Sequence, residues 1–146
     1  MMGVGVLAGA ILADFHGVNQ AWIGLVYGFT TGFMLTAASM TINDYYDRKI
    51  DAINEPKRPI PSGLIKPKEA LVFALILSLA GFVAAYLIDP SYPLCFATGV
   101  IAWMLFVGYT TVGKRSGLPG NFLVSACVAI PFVFGSIVMT DRKAHV

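Results

Sequence analysis

Residues 21–51 read AWIGLVYGFTTGFMLTAASMTINDYYDRKID, an uncharged run from Ala21 to Ile42 that ends on Asn43, Asp44, Asp47 and Asp51. The first part has the length of about 20 residues that a helix needs to cross a bilayer core. The second sets three carboxylates and an amide at its mouth. Negative charge beside lipid is costly, so residues of this kind are kept to hold a cation or a charged ligand. At helical spacing, positions 43, 47 and 51 stand one above another with 44 offset by about 100°, so all four side chains fall within an arc of roughly 100°. The stretch predicts a membrane helix whose end carries an acidic face.

The rest of the chain agrees with that class. It is 57% hydrophobic and 12% charged, against about 25% charged for an ordinary soluble domain, and its mean hydropathy is +0.74. Three further apolar runs, Glu69 to Ile88, Leu94 to Val112 and Phe122 to Thr140, are of similar length, and a shorter one covers Met1 to Ala13. An all-α, polytopic bundle of about five helices is expected, forming a single transmembrane domain over residues 1–146. The short first run has neither the basic flank nor the cleavage signature of a signal peptide, and a helix cut at its N-terminal end is expected.

Eight of the ten Lys and Arg residues lie in two links: Arg48, Lys49, Lys57, Arg58, Lys66 and Lys68 in one, Lys114 and Arg115 in the other. By the positive-inside rule both links face the cytoplasm. Arg142 and Lys143 fall on the other side. Cys95 and Cys127 sit inside apolar runs, where packing thiols are expected, and their spacing gives neither a disulfide framework nor a thiolate metal site. His16 and His145 have no second ligand at a telling distance.

Prolines 56, 59 and 61 in the link after Asn54 exclude a helix and predict an extended, stiff loop. Lys66-Pro67-Lys68-Glu69 restarts a helix with proline at a tolerated first-turn position, and Asp89 to Pro93 is a tight reversal. Gly113 to Asn121 reads as a glycine-rich basic loop, not a helix, whose free backbone donors can fold around phosphate oxygens.

Carboxylates and an amide without histidine or thiolate are hard oxygen ligands, suited to Mg2+. Since Mg2+ binds through one or two carboxylates plus substrate phosphate, the acidic face is a candidate Mg2+ and diphosphate site. Lys57, Arg58, Lys114 and Arg115 can neutralise the remaining phosphate charge. Taken alone, the same residues also admit a solvated helix end paired with Arg48 and Lys49, and two basic residues whose only part is to orient the chain. Tyr45, Tyr46, Trp103, Phe106 and Tyr109 read first as interfacial anchors and second as a lining that shelters a cation.

Asn43-Asp44-x-x-Asp47-x-x-x-Asp51 followed by Arg58-Pro59-Ile60-Pro61-Ser62-Gly63 resembles the first aspartate-rich motif of the UbiA-type intramembrane prenyltransferases. Within that superfamily, Lys114 to Asn121 most resembles the archaeal digeranylgeranylglyceryl phosphate synthases. The resemblance implies an all-α fold of about nine transmembrane helices, of which this chain is the N-terminal part. It implies Mg2+ and prenyl diphosphate bound at Asn43, Asp44, Asp47 and Asp51, the three aspartates being catalytic. Phosphate would be held by Lys57, Arg58, Tyr109, Lys114 and Arg115, with Tyr109 one residue further from Lys114 than the family's Tyr-x-x-x-Lys element has it.

A second aspartate-rich motif is expected in such enzymes, yet the one acid after Asp89 is Asp141. The chain alone is therefore expected to be inactive. The implied reaction is geranylgeranyl transfer from an allylic diphosphate to geranylgeranylglyceryl phosphate in archaeal ether-lipid synthesis, at the cytoplasmic side of the cell membrane. No nucleic-acid partner is expected and no oligomeric state is implied. An aromatic acceptor, as in quinone or haem synthesis, is the nearest alternative, and a non-catalytic membrane protein is the alternative of another class.

Overall fold

The computed structural model describes residues 2–19, 21–90, 93–111 and 118–143. They form five helices, α1 (Met2–Ala13), α2 (Trp22–Asn54), α3 (Pro67–Tyr86), α4 (Leu94–Thr111) and α5 (Leu118–Lys143), and no strand. Each expected apolar run is thus a helix. Three of them, α2, α3 and α4, are long and apolar enough to cross a membrane.

At a rise of ~1.5 Å per residue, the 33 residues of α2 make a rod of about 50 Å, well over the ~30 Å of a hydrocarbon core. Its surplus is the acidic segment. The apolar part from Trp22 to Ile42 already spans the core, so the turns from Asn43 to Asn54 extend past it.

Short links make neighbours antiparallel. Val6 meets Gly28 and Gly32 of α2, and Leu35 of α2 meets Gly81 of α3. α5 returns beside α1 and parallel to it: Gly9 faces Phe132, Gly135 faces Val6, and Ser136 Oγ lies 3.4 Å from the Gly9 carbonyl. α2 touches all four other helices. The acidic end of α2 therefore shares one end of the bundle with the starts of α3 and α5 and the last turn of α4.

Small residues point inward. α3 buries Ala70, Ala74, Ser78, Gly81, Ala84 and Ala85 and turns Leu71, Val72, Phe73, Leu75, Ile76, Leu79 and Val83 outward. In water this would be upside down. Where the surroundings are as apolar as leucine, burying leucine brings nothing, and close backbone approach through small side chains holds helices together. Polar groups are satisfied locally: Thr31, Ser78 and Thr110 donate to the carbonyl four residues back, and Trp103 Nε1 donates to Ser78 Oγ at 3.0 Å, tying α4 to α3. No buried side-chain N or O among the described residues lacks a partner, as a low-dielectric setting demands.

Two loop expectations change. Residues 55–66 are folded rather than extended: Arg58 N donates to Glu55 O, Ser62 N to Arg58 O, Gly63 N to Ile60 O and Ile65 N to Pro59 O, all between 2.9 and 3.1 Å. No bond in that series needs a proline N–H, which is why three prolines are compatible with it. Gly63 sits at φ 80°, a left-handed conformation that favours glycine. The stretch from Leu118 to Asn121, read as loop, is the first turn of α5, where Pro119 and Gly120 leave only amides that a helix start does not pair anyway.

Candidate active site

The last turns of α2 and the folded loop after it build the site together. Pro67 opens α3, and the Lys66 N–H donates to Glu69 Oε2 at 3.0 Å, a one-sided cap that marks where the loop ends. Between Glu55 and Lys66 the backbone bonds hold Arg58 against the acidic face. Arg58 Nη1 lies 3.0 Å from Asp51 Oδ2 and 3.2 Å from Asp44 Oδ1, so a single nitrogen bridges two carboxylates.

The two pairs differ in setting. Asp51's side chain is 11% exposed while those of Asp44 and Arg58 are 44% and 42% exposed. Water screens the Asp44 pair to within about 0–1 kcal/mol. The Asp51 contact is the stronger anchor.

The other expected ligands stand on the same helix in a separate pair: Asn43 Nδ2 donates to Asp47 Oδ2 at 3.1 Å. The acidic face thus divides in two, and no three His, Cys, Asp or Glu side chains converge on one point among the described residues. That arrangement suits Mg2+, which needs only one or two carboxylates besides phosphate oxygens and water. The donor set of Asn43, Asp44, Asp47 and Asp51 is all hard oxygen, so it fits the ion in kind.

Asp44, Asp51 and Arg58 form the polar end of a cleft of about 220 Å³ whose other walls are Thr41, Pro59, Ile60, Pro61, Ile65, Ala70 and Phe73. That polar end is net negative, so the lining matches an apolar body whose anionic head arrives with a cation. Ile60, Ile65 and Phe73 are part of the site although their residue types carry no chemical signal; only their place beside the motif could have singled them out.

Arg48 does something else. Its guanidinium lies 4.2 Å from the Tyr45 ring centroid and donates to the Tyr45 carbonyl, so that ring face is taken by a resident cation. Trp103 and Phe106 pack between helices, the former against Phe82, the latter with Ala102 and Cys127. Cys95 and Cys127 are buried free thiols, as expected. His16 stacks edge-on against Phe15. Lys57 is exposed in the loop beside Arg58. Tyr109 is half-buried in the last turns of α4, at the same end of the bundle as the acidic face. Lys114, Arg115 and His145 lie outside the described residues.

Comparison with known proteins points the same way. The family model for the UbiA prenyltransferase family matches residues 2–144. The chain is 40% identical over 136 residues to the digeranylgeranylglyceryl phosphate synthase of Methanospirillum hungatei, covering 92% of this chain and 45% of that one. It is 34% identical over 132 residues to the enzyme of the same name from Methanothrix thermoacetophila, covering 90% and 46%.

A solved structure described as giving structural and mechanistic insights into the biosynthesis of digeranylgeranylglyceryl phosphate synthase in membranes superposes with a TM-score of 0.85. It is 29% identical, covering 94% of this chain and 47% of the other. The chain spans about half the length of the curated relatives it matches. A helical bundle with membrane-length apolar helices and a family model that matches residues 2–144 together show that this chain belongs to the UbiA prenyltransferase family.

Proposed function

We propose that this chain forms one wall of a Mg2+-dependent geranylgeranyltransferase that uses geranylgeranylglyceryl phosphate as acceptor. Residues 1–146 are one prenyltransferase unit in this reading. The observation that carries it is the amphipathic cleft headed by Asp44, Asp51 and Arg58, and the names of its relatives favour the lipid acceptor over an aromatic one.

In the reaction the C1–O bond of the allylic diphosphate breaks, its electron pair leaves on diphosphate, and the acceptor hydroxyl forms the new C–O bond as its proton is released to solvent, leaving ether and diphosphate. Bound Mg2+ would supply positive charge to the leaving diphosphate. Asn43, Asp44, Asp47 and Asp51 present oxygens to hold that charge in place. Arg58 and Lys57 donate hydrogen bonds to diphosphate oxygens, which gain strength as charge builds on them. Tyr109, from the same end of the bundle, and Lys114 and Arg115, in the link after it, are assigned to phosphate of donor or acceptor. The apolar cleft walls keep water from the reacting carbon.

The acceptor is tested with a family-length protein carrying this sequence, offered geranylgeranyl diphosphate with either geranylgeranylglyceryl phosphate or 4-hydroxybenzoate. Transfer to the lipid phosphate alone is expected; transfer to the aromatic ring alone would overturn the assignment.

Topology has its own test. The links holding Lys57 and Arg58 and holding Lys114 and Arg115 join helices at the same end of the bundle, and the positive-inside rule assigns that end to the cytoplasm. Cysteine introduced at Ser62 and at Ser116, in a background lacking Cys95 and Cys127, should react with an impermeant maleimide only from the cytoplasmic side. Labelling of the two from opposite sides would reject the arrangement.

A further inference from the structure

We infer that Arg58 is a resident counter-ion that competes with the metal for the acidic face, so that metal and diphosphate must bind together. The inference rests on the site assignment just made and concerns how the site is loaded.

Asp44 and Asp51 are two turns apart on α2, about 10 Å along its axis, yet both carboxylates reach the same Nη1, at 3.2 and 3.0 Å. A cation set between two carboxylates occupies the place a divalent ion would take. Arg58 is the cation in the lining of this cleft, whose other walls, Thr41 apart, are apolar. Arg58 thus offsets part of the negative charge at the head of the cleft.

The backbone of the latch is fixed. Arg58 N and O both take part in the turn bonds of the loop, and Ile65 N closes that loop onto Pro59 O at 3.1 Å. Only the side chain is left to move. A metal ion arriving alone has to displace the guanidinium into water. Diphosphate arriving with the ion offers it a bidentate partner instead, turning the displaced arginine into a ligand-binding group. Each ligand then removes what the other would have to overcome, which is positive coupling.

The 146-residue chain in detergent, titrated with Mn2+ and followed by electron paramagnetic resonance with and without inorganic diphosphate, reads this directly. Wild type should bind Mn2+ several-fold more tightly when diphosphate is present. Arg58→Gln should bind Mn2+ alone roughly five-fold more tightly than wild type, the scale of a partly screened ion pair, and should lose most of the diphosphate dependence. Arg58→Lys should restore weak binding of the lone ion, because it returns the charge; a mere folding defect in Arg58→Gln would leave Arg58→Lys unable to do so, and would weaken rather than tighten binding. Equal or weaker Mn2+ affinity in Arg58→Gln, with diphosphate-dependent binding intact in wild type, overturns the latch and leaves the site assignment standing. Mn2+ binding that is unaffected by Asp51→Asn, with or without diphosphate, overturns both.

Discussion

Replacing Gly135 with alanine is expected to split α1 from α5. A methyl group there would collide with the Val6 carbonyl oxygen and stand 2.8 Å from the Ala10 nitrogen, and both are backbone atoms of a helix that cannot turn aside. The contact is mirrored one turn away, where a Cβ on Gly9 would collide with the Phe132 carbonyl oxygen. Relief requires the two helices to move apart, opening the buried cluster of Val6, Ala10, Phe134 and Val138.

Forced separation of a packed interface costs about 3 kcal/mol or more. The expected result is a drop in the thermal midpoint of the detergent-solubilised protein of about 10 °C. Gly108→Ala is the control, since nothing lies within 4 Å of its added methyl and alanine favours helix by up to about 1 kcal/mol. A Gly135→Ala protein as stable as Gly108→Ala would contradict the α1–α5 contact.

Much of this architecture could be read from the residues. Apolar runs of bilayer length between charged or proline-bearing links marked all five helices, and Pro67 with Glu69 marked the start of α3 within a residue or two. The i, i+4, i+8 spacing of Asn43, Asp47 and Asp51 placed the acidic face. What the sequence did not disclose was which way each helix faces. α3 is apolar all round, so hydrophobic periodicity carries no signal there, and its inner face is marked instead by small residues from Ala70 to Ala85.

The folded loop was illegible for a related reason. Prolines 56, 59 and 61 rule out a helix, but they leave Arg58, Ser62, Gly63 and Ile65 free to donate, and the turns use those donors. Reading the prolines as breakers predicts extension; counting the remaining N–H groups would have allowed turns. The bridge from Arg58 to Asp44 spans fourteen positions in the chain, a contact that depends on how the loop closes and that no spacing rule encodes. Division of the acidic face into two pairs follows from that contact, because Arg58 draws Asp44 and Asp51 toward the cleft while Asn43 and Asp47 bond to each other.

The other large effect belongs to Asp47. Its carboxylate accepts from Asn43 Nδ2, which holds one oxygen in place on the acidic face beside the pair that Arg58 bridges. Asp47→Ala removes a candidate oxygen ligand and frees the Asn43 amide, while leaving the cleft walls and the Arg58 bridge untouched. Losing one preorganised group that stabilises a leaving group costs on the order of 10²-fold or more in turnover. Because substrate binding through the apolar walls is retained, the loss should fall on kcat more than on KM.

The same reasoning predicts that the 146-residue chain transfers no prenyl group unaided, since it holds a single aspartate-rich motif and the resemblance implies two.

Radiolabelled geranylgeranyl transfer to geranylgeranylglyceryl phosphate, measured on a family-length protein carrying this sequence and on its Asp47→Ala variant, with Mg2+ present or chelated, tests the assignment of the α2 acidic face most directly. Turnover that needs Mg2+ in wild type and falls at least about a hundred-fold in Asp47→Ala is the predicted result. Full activity in Asp47→Ala, or in wild type after chelation, would contradict it.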